Sequence, residues 1–229
     1  NPLSEIDLPS PLILGSGSFT RKIILKEMNI PFVLKVRPIN ERGLGDRSDG
    51  SDPRELVTTL ARAKAEHLVQ GLMDPAIING SEDGTQSEDK YSLILHQEEC
   101  VILTADQVVT HSNSILEKPD DIEQAKDFVG RYADAPPSTV GAVVLTHLPS
   151  GITVSGVDSA QINFKQTVAD CDLIDKLLDD GAPVLSCAGG LMVEHPLVRE
   201  HISGIDGTED SVMGLSKDLV IRLLKELKG

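Results

Sequence analysis

Leu12-Ile13-Leu14-Gly15-Ser16-Gly17-Ser18-Phe19-Thr20-Arg21-Lys22-Ile23-Ile24-Leu25, which follows Pro11 and leads to Met28, is the stretch from which the fold is read. A short apolar run stops at a Gly/Ser segment, and the next apolar residues recur at the spacing of one helix face. The segment therefore reads as strand, loop and helix. Its loop has the physics of an oxyanion cradle: small residues let backbone N–H groups approach, two hydroxyls can donate, and a helix N-terminus adds partial positive charge. Arg21 and Lys22 fall in the first helical turn, where the helix dipole disfavours cations, so the pair asks for a nearby anion. The stretch is neither GxxxxGK[ST] nor GxGxxG, which leaves P-loop and dinucleotide chemistry unsupported. A plain strand-to-helix turn is the alternative.

Working outward, residues 32–37 read as a second strand and 38–50 as a polar, glycine-containing loop. Asp52-Pro53 then begins a helix, with Asp as N-cap and Pro at the first helical position, that runs through Lys64 to about residue 70. The acidic run NGSEDGTQSED at 79–89 reads as a mobile insertion, and its Asn79-Gly80-Ser81 sequon as a turn. Strands are expected at 92–95 and 100–103, the latter leading into Thr104-Ala105-Asp106-Gln107-Val108 and placing Asp106 at a strand end. A helix at 121–132 precedes strands at 140–146, 152–157 and 161–164, with a Pro149-Ser150-Gly151 turn between the first two. Helices at 168–180, ended by Gly181, and at 218–227 complete the chain. No repeat or linker interrupts it, so residues 1–229 form one α/β or α+β unit with room for two lobes.

The chain has 229 residues, 36 acidic against 21 basic, for a net charge of −15. Such acidity argues against wrapping polymeric nucleic acid, which is bound through many Lys/Arg–phosphate contacts. The charge is uneven: residues 1–64 hold 10 basic and 8 acidic side chains, and the remainder 11 and 28. The N-terminal third can thus build a local anion site. Three cysteines, Cys100, Cys171 and Cys187, show no CxxC or Cys/His spacing, which disfavours both zinc and a disulfide framework and suits a reducing, cytoplasmic setting. No apolar run approaches the roughly 18–20 residues of a membrane helix.

Read singly, the remaining candidates are modest. Lys64 resembles an ordinary solvated helix lysine, and Glu41 and Lys118 resemble surface charges. Asp106 stands out more, because a carboxylate closing an apolar strand often borders a ligand crevice and can bind metal or act as a base, although capping the next turn is the simpler role. Cys187 has no evident histidine partner and reads as a wall residue. The six histidines form no HExxH or HxH pattern.

Their order is more specific than any one of them. Leu12 to Ser18 with Arg21-Lys22, Ile39-Asn40-Glu41, Leu60 to Ala65 around Lys64, Ala105-Asp106-Gln107-Val108, Lys118-Pro119, Cys187-Ala188-Gly189 with Glu194, and Val212-Met213-Gly214-Leu215 together resemble the Maf family of nucleotide pyrophosphatases. The resemblance implies an elongated, two-lobed α/β fold with a mixed sheet and a central cleft, of the inosine triphosphate pyrophosphatase type, and a homodimer. It implies hydrolysis of nucleoside triphosphates to monophosphate and pyrophosphate with Mg2+ or Mn2+, a house-cleaning role. By motif, Ser16, Ser18, Arg21 and Lys22 match the triphosphate loop, and Glu41 and Asp106 the metal and water carboxylates, with Asp106 the base. Lys64 and Lys118 match catalytic phosphate-holding lysines, and Glu194 a substrate-binding position. Glu194 and Cys187, with Asp-Gln-Val at 106–108, resemble the subgroup acting on 7-methylguanosine triphosphate, UTP and CTP. Phe19-Thr20 and Pro136-Pro137 depart from the family pattern in its loops. A non-catalytic nucleotide-sensing regulator of cell division and an inosine/xanthosine triphosphate pyrophosphatase are the competing expectations. Carboxylates at 41 and 106 favour the enzyme, since phosphate binding alone gains nothing from added negative charge.

Overall fold

β1 (Leu12–Leu14) is buried at all three positions because parallel neighbours flank it on both edges, β2 (Phe32–Leu34) and β3 (Cys100–His111). An uninterrupted apolar run is what a strand covered on both faces requires. The computed structural model describes residues 12–73, 99–169, 172–190 and 192–228. The acidic stretch at 79–89, the strand expected at 92–95 and Cys171 lie outside them.

Antiparallel pairs extend the sheet from β3 to β5 (Ser138–Leu148), β6 (Thr153–Phe164) and β7 (Ile202–Asp206), and β4 (Ser114–Leu116) folds back on the far end of β3. The result, among the described residues, is an open mixed sheet in the order β2-β1-β3-β5-β6-β7. The expected α/β class with a mixed sheet is the fold observed.

Three expectations change. Asp106 lies inside β3, not at a strand end, because β5 pairs with β3 from Cys100 to Thr110. On the other edge β1 stops opposite Leu103 and β4 pairs with β3 only from Val109 to His111, so β3 between them lacks a strand neighbour there and a cleft opens. The strands expected at 152–157 and 161–164 are one, since β5 supplies an unbroken partner from Thr146 to Ser138; the polar Asp158 is tolerated because Ser211 Oγ donates to it. The helix expected at 168–180 is a 3-10 turn, Gln166–Ala169, and a helix, Asp172–Asp179.

The helices α1 (Phe19–Glu27), α2 (Pro53–Leu72), α3 (Ile122–Arg131), α4 (Asp172–Asp179), α5 (Pro196–Arg199), α6 (Glu209–Val212) and α7 (Lys217–Glu226) surround the sheet. Side chains at Ser18, Asp52, Asp121 and Ser216 accept backbone N–H groups at four of the N-termini, each such cap contributing about 1 kcal/mol. Strand alternation separates the layers. Val101, Leu103 and Ala105 pack with Ile24 and Leu25 of α1 and Val220 and Leu223 of α7. Val108 and Ala142 pack with Leu56, Leu60 and Ala61 of α2 on the opposite face. A second lobe forms around Phe128, Val129, Leu173, Ile174 and Leu177 of α3 and α4. No helix among the described residues is long and apolar enough to cross a membrane.

Candidate active site

The site follows from two periodicities. Even-numbered residues of β3 face α2, and Thr104 Oγ1 donates to Ala61 O at 2.8 Å in the buried interface. Lys64 lies one helical turn beyond Ala61 and Asp106 two residues beyond Thr104, so this bond brings the two side chains opposite each other. Lys64 Nζ donates to Asp106 Oδ1 at 2.5 Å and lies 3.0 Å from Glu41 Oε1. Glu41 opens a 3-10 turn, Glu41–Gly43, whose start is capped by Asn40 Oδ1 accepting from Arg42 N. One ammonium thus joins two carboxylates distant in sequence.

Burial pushes the Asp106 carboxyl above its ordinary range; Lys64 and Arg21 pull it back, and Glu41 adds to the rise. A carboxylate so perturbed holds a proton more readily than a solvated one, which suits a base working closer to neutral pH.

The Gly/Ser loop leaves β1 beside Asp106. Gly15 N donates to Leu103 O at 2.8 Å, and a Cβ on Gly15 would meet Thr104 Cγ2 at 2.7 Å and Leu68 Cδ2 at 2.9 Å. Glycine is required there by close approach. Ser16 Oγ accepts from Ser18 N at 3.3 Å and Arg21 Nη1 at 3.0 Å, while Ser18 Oγ accepts from Arg21 N at 3.4 Å as helix cap. Arg21 also donates from Nη1 to Ala105 O at 3.0 Å and from Nε to Gly214 O at 2.9 Å. Burial weakens its hold on its proton, opposed by the charges of Asp106 and Glu41, but a guanidinium remains charged in water-exposed and buried sites alike. Arg21 therefore ties the loop, β3 and the turn after α6 together, besides supplying charge.

Across a cleft of ≈ 1190 Å³ lie Lys118, Cys187 and Glu194. Glu194 Oε1 is buried without a hydrogen-bond partner. The next residue, His195, accepts from Leu197 N at Nδ1 (3.3 Å), which leaves Nε2 to carry the proton toward Asp180 Oδ2 at 3.1 Å and fixes the chain beside Glu194. The Cys187 thiol is pushed up to about 11, first by burial and then by the Glu194 charge, with Lys118 opposing. It is protonated near neutral pH and donates to Pro183 O at 3.4 Å, which disfavours a nucleophilic role. Gly189, at φ +68°, closes this wall: Tyr132 Oη donates to its carbonyl at 2.8 Å, and a Cβ there would lie 2.6 Å from that oxygen.

Ser16, Ser18, Arg21, Glu41, Lys64, Asp106, Lys118 and Glu194 all line this cleft, whereas Lys22 is not among its lining residues. Arg47 and Glu117, which the sequence reading passed over, line it too. So does Gln107, whose amide donates to Ser211 O at 3.1 Å and Val212 O at 3.0 Å. Its place beside Asp106 in the quoted segment was the available signal; Arg47 and Glu117 gave none. The donor set fits a hard divalent cation in one respect: Glu41 and Asp106 present carboxylate oxygens to the same positive centre, and Mg2+ is commonly held by one or two carboxylates together with substrate phosphates.

Comparison with known proteins agrees with this geometry. The family model described as Maf-like protein matches residues 11–227. A Dictyostelium discoideum protein named 7-methyl-GTP pyrophosphatase is 31% identical over 217 residues, covering 95% of this chain and 97% of its own. A Salinibacter ruber protein named dTTP/UTP pyrophosphatase is 28% identical over 225 residues, covering 98% of this chain and 94% of its own. A Thermosynechococcus vestitus protein named nucleoside triphosphate pyrophosphatase is 28% identical over 221 residues, 95% of this chain and 93% of its own.

Proposed function

The chain belongs to the Maf family, and from that premise we propose that its cleft hydrolyses nucleoside triphosphates to monophosphate and pyrophosphate with Mg2+ or Mn2+. Nucleoside triphosphate pyrophosphatase activity, that of a hydrolase on phosphoric anhydrides, agrees with the names of the relatives. The observation that carries the reading is the Glu41–Lys64–Asp106 contact beside the Ser16–Arg21 loop.

In the reaction, water attacks the α-phosphorus, the bond to the bridging oxygen breaks and pyrophosphate leaves. Asp106 accepts the water's proton, and because its Oδ1 is engaged by Lys64, Oδ2 is the oxygen left to take it. A divalent cation held by Glu41 and Asp106 would neutralise phosphate charge and favour ionisation of the attacking water. Lys64, Arg21 and Lys118 hold phosphate oxygens, and Ser16, Ser18 and loop N–H groups orient the chain. With a net charge of −15, the protein repels a free triphosphate at long range, so local cations and the metal must supply the attraction.

For the base, the reading favours 7-methylguanosine triphosphate, UTP and CTP. The unpaired buried oxygen of Glu194 suits an amino or ring N–H donor, and its negative charge suits the cationic 7-methylguanine ring above a neutral one. The relative named 7-methyl-GTP pyrophosphatase supports the same choice. The reading also includes a homodimer and a cytoplasmic setting, which sedimentation and microscopy of the tagged chain test. The central experiment is pyrophosphate release from a nucleotide panel with Mg2+ or Mn2+. Wild type and Asp106→Ala equally inactive on every triphosphate would sink the proposal.

A further inference from the structure

Arg47 sits in the loop between β2 and α2, six residues beyond Glu41, and all three nitrogens of its guanidinium donate hydrogen bonds. Nε donates to Glu117 Oε2 at 2.7 Å and Nη2 to Glu117 Oε1 at 3.3 Å, a two-toothed contact. Nη1 donates to Leu44 O at 2.5 Å and Nη2 to Glu41 O at 3.1 Å, so the same group grips the 3-10 turn that presents the Glu41 carboxylate. Glu117 follows β4 directly and precedes Lys118. Its carbonyl accepts from Gly189 N at 3.0 Å, which joins it to the turn carrying Cys187. Three segments of the cleft converge on one ion pair.

We propose that Arg47 and Glu117 form a positioning pair that holds the Glu41 carboxylate and the Lys118 ammonium in register across the cleft. Neither is a catalytic residue; both act through their neighbours. Their side chains are 25% and 41% exposed, and an ion pair that wet adds little to stability. Geometry is what it supplies: the fork of an arginine reaches a carboxylate and two carbonyls at once, which a lysine cannot do. Small misplacements of groups around a reacting phosphate cost rate steeply, up to about 100-fold for roughly 1 Å.

The inference rests on the pyrophosphatase reading, and its test is separable from that reading. Pyrophosphate release with Mg2+ is measured for wild type, Arg47→Ala, Glu117→Ala and the double variant, with kcat and KM resolved separately and melting temperatures. Each single variant is expected to lose about tenfold or more in kcat/KM while melting within a few degrees of wild type. The double variant should be no worse than the poorer single one, because either change opens the same contact. Arg47→Lys should not restore activity. The loss should fall mainly on kcat and less on KM, since the Ser16–Arg21 loop is not part of the contact. Singles within twofold of wild type, losses that multiply in the double variant, or a loss confined to KM would each overturn the positioning role. Should Arg47→Ala fail to fold, Glu117→Ala, which removes only a half-exposed carboxylate, decides the question by the same criteria. A wild type inactive on every triphosphate overturns the function itself.

Discussion

The two walls of the cleft are built on opposite principles. On the loop side, Ser16, Ser18 and Arg21 satisfy one another and the backbone, so the Gly/Ser loop is held in shape by the protein itself. On the far side, Glu194 keeps a buried oxygen with no partner, and the Cys187 thiol beside it is driven up by burial and that charge. A satisfied wall is rigid and indifferent to what the triphosphate is attached to. An unsatisfied buried acceptor is costly until a ligand supplies a donor, so it favours ligands with one. On the function proposed above, the attacking chemistry falls to the first wall and selectivity for the base to the second.

The contrast can be broken most severely at Asp106. Asp106→Asn should lower kcat by about 1000-fold with every nucleotide alike, because the base is lost while the cradle stays intact; steady-state pyrophosphate release across the panel checks it. Next is Lys64→Met, expected to cost about 100-fold and to shift the pH profile. The sign follows from the charges: Asp106 must be ionised to accept a proton, burial raises it, and Lys64 opposes that rise. Without Lys64 the acid limb should therefore move to higher pH. A limb that stays put would separate Lys64 from Asp106 despite their contact.

The far wall answers to smaller changes. Gly189→Ala combines a left-handed φ of +68° with a Cβ 2.6 Å from Tyr132 Oη, and should destabilise the fold by about 2 kcal/mol in denaturant melts. Glu194→Gln should reduce the preference for 7-methylguanosine triphosphate over UTP by about tenfold, read as a ratio of kcat/KM values, since an amide lacks the charge that pairs with a cationic base. An unchanged ratio would return Glu194 to a packing role. The same variant should speed alkylation of Cys187 severalfold near pH 8, followed by mass spectrometry at that residue, because removing the Glu194 charge lowers a thiol now held at about 11.

Much of this was legible beforehand, unevenly. The strand–loop–helix at Leu12 to Leu25 and the cap at Asp52 needed only local physics: turn residues, an oxygen before a helix, apolar spacing. Asp106 was singled out for a reason that proved incorrect in detail. The apolar run alone points to a strand end at Asp106, whereas β5 pairs with β3 as far as Thr110 and the cleft exists because β1 ends first. Arg47 and Glu117 were invisible, since 70 residues separate them and each looks like an ordinary surface charge.

The sequence by itself determined the class of the fold and, through the order of its motifs, the family. Which charges meet was decided only by tertiary structure. Lys64 reaches Asp106 because Gly15 permits close packing against Thr104 and Thr104 binds the α2 backbone at Ala61, so helix and strand lock in one register. Periodicity assigns each side chain to a face; only the packing of the two faces selects its partner.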